Sequence, residues 1–120
     1  MARYSDRKIP KPTQDELWNE FCDLVVGLRG REAVRNFFRD LLNRQERLML
    51  ARRLHVASLL EAGATYSEIR RTLGAGSPLI SRVARWLEFG RAGYKTAVKK
   101  LSARQKRDLS AKYARYYRRQ

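Results

Sequence analysis

The stretch LGAGSPLISRVARWLEFG, residues 73–90, decides the fold of this chain. It places two glycines, a serine and a proline directly before an apolar run with helical spacing. Gly74 suits the left-handed residue that ends one helix, and Pro78 suits the first helical position of the next, with Ser77 as its N-cap. The stretch therefore predicts two helices joined by a tight turn, the second running from Pro78 to about Phe89.

The residues before this turn predict a short first helix. Thr65 and Glu68 have the spacing of a capping box, and the helix would run from Tyr66 to Leu73. Two such helices joined by a glycine turn form a helix-turn-helix motif, whose second helix lies in the major groove of DNA. An ordinary helical hairpin in an all-α core is the alternative. The motif, over about residues 65–89, would share one small core formed by Ile69, Leu73, Ala75, Ile80 and Val83.

The chain before residue 64 also repeats apolar residues at three- and four-residue steps, and no segment alternates like a strand. Three further helices are predicted, over about residues 14–28, 31–42 and 43–62. Asn43 and Glu46 have the spacing of a capping box for the third, and Gly63 suits its end. The chain is therefore predicted to be all-α, and its single cysteine, Cys22, is expected to be a small core residue.

The charge points to a polyanionic partner. The 120 residues include 27 Lys and Arg against 12 Asp and Glu, a formal net charge of +15 at pH 7. Nucleic acid is the first candidate and an anionic membrane surface the second. Because no apolar run approaches the roughly 18 residues that span a bilayer, and the first twelve residues lack the apolar stretch of a secretory signal, a cytoplasmic protein is expected.

Three stretches carry a likeness to a known family. These are ATYSEIRRTLGAGSPLISRVARWLEFGRAGY (residues 64–94), LLNRQERLMLARRLHVASLLEAG (41–63) and, more faintly, DELWNEFCDLVVGL (15–28). They resemble, respectively, the helix-turn-helix of the Trp repressor family, the helix that leads into it, and the family's first helix. The details TYSEI, ISRV and FGRAGY favour the branch related to the YerC/YecD proteins. The likeness covers about residues 14–95.

The resemblance implies an all-helical, intertwined homodimer that presents two helix-turn-helix units to a palindromic operator in double-stranded DNA. Two interlocked chains would also share a larger core than a chain of this size can build alone. The expected function is sequence-specific transcriptional regulation in the cytoplasm, in association with the nucleoid. The residues expected to read bases are Ser77, Pro78, Ser81 and Arg82. Those expected to grip the phosphate backbone are Arg70, Arg71, Arg85, Lys99, Lys100, Arg104, Lys106 and Arg107.

In the tryptophan-sensing members of the family, the indole lies between two arginines, and the resemblance matches these to Arg53 and Arg82. Val83 and Trp86 stand where that pocket keeps a glycine and a serine, and Leu79 replaces a threonine. We therefore expect these five residues to form a vestigial pocket filled by bulky side chains, with Trp86 holding the DNA-reading helix in place from within. Free tryptophan is then not expected to be a corepressor, and no cofactor is expected.

The sequence predicts three regions: a flexible N-terminal arm (residues 1–12), the helix-turn-helix domain (13–95) and a basic C-terminal extension (96–120). From residue 95 onward there are ten Lys and Arg and one acid, so nine of the fifteen net positive charges lie there. Ser102 and Gln105 could cap a last helix with Leu109, Tyr113, Tyr116 and Tyr117 along one side. A DNA clamp, a disordered tail, a membrane-surface helix and an RNA-binding arm all remain open for this segment.

Catalysis finds little support in the sequence. His55, the only histidine, has no cysteine, aspartate or second histidine at metal-ligand spacing, and the glycines near residue 75 lack the strand and lysine of a nucleotide-binding loop. No enzyme and no metal site is therefore predicted. An RNA- or ribosome-associated binding protein and a non-specific nucleoid protein are the alternative functions.

Overall fold

A computed structural model describes residues 8–101 together with residues 105, 107, 108 and 111. Within these residues the secondary structure is entirely helical, which confirms the predicted all-α class. The helices are α1 (Lys11–Gly27), α2 (Arg31–Leu41), α3 (Arg44–Glu61), α4 (Tyr66–Leu73), α5 (Ser77–Phe89) and α6 (Gly93–Lys100). They belong to two compact units, residues 1–43 and residues 44–120. None of these helices is both long and apolar enough to cross a bilayer.

The first unit is held together by aromatic contacts between α1 and α2. The ring of Phe21 stacks on Trp18 with centroids 5.6 Å apart and lies 6.0 Å from Phe37 on α2. Phe37 in turn meets Phe38 edge to face at 5.3 Å. Cys22, the residue after Phe21 on α1, is half-buried, in keeping with a packing role. α1 begins three residues earlier than predicted, because prolines suit the first turn of a helix and one lies there.

The second unit is built around the predicted core of the helix-turn-helix. All five residues expected to share that core are buried, and α3 and α6 contribute further buried side chains to it. The fully buried or nearly buried apolar side chains are Val56, Ala57, Ile69, Leu73, Ala75, Ile80, Val83 and Val98. The motif is therefore fixed in position by its own apolar face.

Helix α6 is not among the helices that the sequence predicts. It packs against α3 and α5, with Val98 only 5% exposed and Tyr94 partly buried against the same core. The predicted domain boundary at residue 95 consequently falls inside a helix, and the body of the motif extends to Lys100. The many lysines of this segment obscure the stripe formed by Tyr94 and Val98, four residues apart, which is what docks it.

The C-terminal extension is described only in part. Gln105, Arg107, Asp108 and Ala111 have helical backbone and are exposed. The predicted cap at Ser102 and the predicted apolar side of a last helix lie outside the described residues, as do residues 1–7 of the predicted N-terminal arm.

Candidate nucleic-acid interface

The first helix of the motif begins with the predicted cap. The Thr65 hydroxyl oxygen accepts a hydrogen bond from the Glu68 backbone N–H at 3.1 Å, and the same hydroxyl donates to Oε1 of Glu68 at 3.1 Å. This pairing satisfies one of the four backbone donors that an α-helix leaves unpaired at its start. Helix α4 runs over Tyr66–Leu73, as the capping pattern predicts.

The turn depends on Gly74. Its backbone lies in the left-handed region at φ 65°, and its N–H donates to the Arg70 carbonyl at 2.9 Å, which closes the end of α4. A side chain at this position would strain the backbone, because a Cβ crowds the adjacent carbonyl in the left-handed conformation. Ala75 follows with its small side chain buried in the shared core, so the turn is anchored as well as tight.

Helix α5 begins one residue earlier than expected, and the prediction that Ser77 caps it is wrong. The N-cap is Gly76, whose carbonyl accepts the Ile80 N–H at 3.1 Å without any side-chain cap. Ser77 is the first helical residue and Pro78 the second, so Pro78 does not take the first helical position that the sequence predicts, although it still lies in the first turn. Because the Ser77 side chain is not used as a cap, it instead accepts a hydrogen bond from Nη1 of Arg70 at 3.1 Å across the turn.

The two faces of α5 differ in exposure. Ile80 and Val83 are buried in the core, whereas Pro78, Ser81 and Arg82 are exposed, and Ser77 is half-buried. Helical spacing places the three exposed residues side by side on the surface opposite the core. All four residues predicted to read bases thus lie within the first two turns of α5, which is the part of such a helix that contacts base edges.

The predicted phosphate contacts are distributed over three helices. Arg70 and Arg71 are exposed in the last turn of α4, Arg85 is exposed on α5, and Lys99 and Lys100 are exposed in the last turn of α6. Cations in the last turn also stabilise a helix by their interaction with its dipole. Arg107 is exposed in the extension, and Arg104 and Lys106 lie outside the described residues.

A cavity of about 360 Å³ lies between α3 and α5. Arg53 and Arg82, the pair singled out by the resemblance, both line it, together with Leu79. Its remaining lining residues are Met49, Arg52 and Pro78. Nε of Arg53 is buried and has no hydrogen-bond partner among the described residues, which is unusual because an unsatisfied buried donor costs about 1–3 kcal/mol.

Neither Val83 nor Trp86 lies on the wall of this cavity, so the structure does not show the predicted filling of the pocket. Val83 is 1% exposed because it faces the core, about 100° around α5 from Arg82. Trp86 is 52% exposed, and its ring lies towards Gly90, at which an added Cβ would come within 3.3 Å of the ring. The side chain that supports α5 from within is therefore Val83, not Trp86.

Met49 and Arg52 are cavity residues that the sequence analysis does not single out. Met49 lies three residues before Arg52 and four before Arg53, which makes it a neighbour of both on one side of α3, so the helical period alone could have found this group. The sequence could not indicate that this side of α3 faces α5, because that depends on how the two helices pack.

His55, on α3, is half-buried, and burial lowers the pKa of its imidazole below the usual value of 6.5. In the part of the chain that the structure describes, no three His, Cys, Asp or Glu side chains are grouped to hold a metal ion.

An all-helical body that presents an exposed, polar second helix of a helix-turn-helix defines a class of DNA-binding regulators. The family model of the Trp repressor protein matches residues 16–102. The chain is 38% identical over 84 residues to the uncharacterized protein YerC of Bacillus subtilis (strain 168), covering 70% of this chain and 77% of YerC. The crystal structure of a candidate Trp repressor from Staphylococcus aureus superposes with a TM-score of 0.64 at 33% identity, covering 82% of this chain and 94% of that one.

The chain belongs to the Trp repressor family, which is a regulatory, DNA-binding family and not an enzymatic one. The likeness read from the sequence, including its similarity to the YerC branch, is thereby confirmed.

Proposed function

We propose that this protein is a homodimeric, sequence-specific regulator of transcription that reads a palindromic operator in double-stranded DNA. The observation that carries the proposal is the division of α5 into a buried face, with Ile80 and Val83, and an exposed face with Pro78, Ser81 and Arg82. A helix anchored on one side over a packed core can enter the major groove without losing its own position. Arg82 would read guanine, and Ser81 would donate to or accept from a base edge.

The charge supports a duplex as the partner. A net charge of +15 on 120 residues provides a large, salt-sensitive attraction to phosphates. Arg70 and Arg71 on α4, Arg85 on α5 and the lysines at the end of α6 would supply backbone contacts, with Arg104, Lys106 and Arg107 adding contacts from the extension. These contacts would orient the protein on DNA but would not choose the sequence.

Exposed apolar side chains support the homodimer. Soluble monomers rarely expose extended apolar surface, and a second copy would cover it. The large hydrophobic residues that are exposed in the single chain lie on α1 (Leu17, Trp18, Leu24, Val26), α2 (Leu41), α3 (Leu48, Met49, Leu50), α4 (Tyr66) and α5 (Trp86, Phe89).

Free tryptophan would not be a corepressor of this protein. Val83 and Trp86 do not line the cavity between Arg53 and Arg82, so this part of the proposal rests on the support of α5 alone. Val83, which is 1% exposed, fills core space under α5 that a glycine would leave vacant, so no ligand is needed to support that helix. Calorimetric titration of tryptophan into the protein should give no micromolar binding. Clear heats of binding at micromolar concentration would contradict this part of the proposal and leave DNA binding untouched.

Selection of bound sequences from a random duplex library, at about 150 mM salt, tests the central proposal. We expect a palindromic consensus, and a scrambled duplex of equal length should not compete with it for binding. Equal binding of all duplexes would instead indicate a nucleoid-coating protein, and preference for RNA would indicate an RNA- or ribosome-associated one. If the consensus appears, the protein would act in the cytoplasm on the nucleoid.

Substitution of one arginine on the reading helix tests its role directly. Arg82→Ala should cost about 1–3 kcal/mol of binding free energy to the consensus and relax the preference at one position of each half-site. Arg91→Ala is the matched control, since Arg91 is an exposed arginine just after α5 and outside the motif. An equal loss of preference in both variants would remove Arg82 from the proposed reading surface.

Most of the net charge lies in the basic extension, which supports the two alternative functions, a nucleoid-coating protein and an RNA- or ribosome-associated protein. Removing residues 103–120 should flatten the dependence of affinity on salt and leave base preference unchanged. The log–log slope should change by about 0.9 for each phosphate that the extension neutralises. An unaltered slope would show that the extension is not a DNA clamp.

A further inference from the structure

Arg70 and Ser77 have so far been given separate roles, one at the phosphate backbone and one at the bases. The structure joins them, since Nη1 of Arg70 donates to Oγ of Ser77 at 3.1 Å across the turn between α4 and α5. The backbone at both ends of this contact is also held in place. The Arg70 carbonyl accepts the Gly74 N–H at 2.9 Å, and Ser77 is the first residue of α5.

The chemistry of this contact fixes what Ser77 can offer to DNA. A guanidinium group has five N–H donors and no acceptor, so the serine oxygen must accept, and its hydroxyl proton points away from the arginine. With its oxygen engaged by the guanidinium, the hydroxyl group would be left to act as a donor towards bound DNA. The acceptors it would meet in the major groove are N7 and O6 of guanine, N7 of adenine and O4 of thymine.

We propose that Arg70 is a positioning residue for base recognition, acting through Ser77, in addition to its contact with the backbone. This inference rests on the proposed function, because it assigns a part of the specificity of the same surface. The guanidinium keeps the Ser77 hydroxyl oriented as a donor, and its remaining N–H groups stay available for a phosphate oxygen. One side chain thus couples the grip on the backbone to the reading of one base pair in each half-site.

A residue that only contacts phosphate weakens binding to all sequences alike, whereas a positioning residue changes the order of preference. The test therefore measures relative affinities for duplexes that vary at each position of the selected consensus. Arg70→Ala should weaken binding overall and shift the relative preference at one position by about threefold or more, the size expected for one hydrogen bond. Arg71→Ala, which removes the same charge from the neighbouring exposed position, should weaken binding without that shift.

The double variant completes the experiment. In a Ser77→Ala background, Arg70→Ala should cause only the uniform loss, because the hydroxyl that it orients is absent. Circular dichroism should be unchanged for the three single variants, since Arg70 and Arg71 are exposed and Ser77 does not cap α5. Arg70→Ala and Arg71→Ala each remove one cation from the last turn of α4, so both should lower thermal stability slightly and by a similar amount.

Three results would overturn the assignment: an Arg70→Ala profile with the preference of the unaltered protein, an equal shift in Arg71→Ala, or a shift that persists in the Ser77→Ala background. A protein that selects a consensus but gives any of these results keeps its proposed function and loses only the role of Arg70. A protein that selects no consensus contradicts the proposed function itself.

Discussion

The two compact units of the chain differ in how far they bury their apolar residues. In the second unit, residues from α3 to α6 close over a core in which several side chains are wholly buried. In the first unit, none of the described residues on α1 or α2 is buried, and Trp18 is 63% exposed although it stacks on Phe21. The second unit has a buried core of its own, although it also exposes large hydrophobic side chains on α3 and α5, whereas the first unit has no buried residue on either of its helices and needs further apolar surface to cover it. This is the physical basis for expecting a second copy of the chain.

The largest effect should come from emptying the core of the second unit. Ile80 is 0% exposed, so Ile80→Ala should lower the free energy of unfolding by about 2–5 kcal/mol, through reduced burial and the cavity left behind. Urea denaturation measures this change. Ser81→Ala, at the adjacent exposed position, should change stability by less than about 0.5 kcal/mol. A small effect of Ile80→Ala would mean that the core is not what holds α5.

Substitution of an exposed apolar residue in the first unit should weaken dimerisation. If a second copy covers Trp18, Trp18→Ala should weaken the dimer by about 2 kcal/mol or more, as expected for an aromatic residue at the centre of an interface. Analytical ultracentrifugation over a range of concentrations reports the change in dissociation constant, and Asn19→Ala is the control at the next exposed position. If both variants associate like the unaltered protein, the exposed face of α1 is not part of the dimer interface.

A smaller effect is expected where α5 ends. A Cβ at Gly90 would overlap the Trp86 carbonyl oxygen, so Gly90→Ala must displace the backbone and should cost about 1–3 kcal/mol. Gly93→Ala is the matched control, since a Cβ there meets no atom within 4 Å. Thermal unfolding of both variants compares them. Equal stability of the two would show that the end of α5 adjusts without strain.

The mildest effect is a dependence on pH. Burial lowers the pKa of His55 in the folded state, so the unfolded chain binds its proton more readily. Stability is therefore complete above a pH of about 6.5, the unfolded value, and declines as the pH falls below it, until the folded pKa is passed. Unfolding measured between about pH 7.5 and 5.5 should show this decline, and His55→Gln should remove it. An identical decline in the variant would assign it to other groups.

Much of the motif could be predicted because its signals are local. The Thr65 cap, the left-handed Gly74 and the proline in the first turn of α5 each involve residues a few positions apart, and all three are found. The errors also have local causes. Serine is a good cap, so the sequence predicts one at Ser77, but Gly76 takes that position and leaves the hydroxyl to Arg70.

The candidate site is harder to predict than the helices. Arg53 and Arg82, which the resemblance pairs, line one cavity, whereas Trp86, which it also places there, lies elsewhere. The sequence gives little sign of α6, because its apolar residues are few among many cations. Only the structure shows that one of them, Val98, packs into the core. For α5 the helical period identified a face of the helix but not the neighbour that the face meets, and for α6 it identified no helix at all.

The amino-acid sequence by itself determined the helical class, the turn at Gly74 and the polar character of the exposed face of α5, because backbone sterics, caps and charge act over a few residues. Only the tertiary structure decided that α6 belongs to the body, that Val83 supports α5, and that Arg70 reaches Ser77. These outcomes depend on which surfaces of separate helices come together, and packing makes that choice through the combined shape of many side chains.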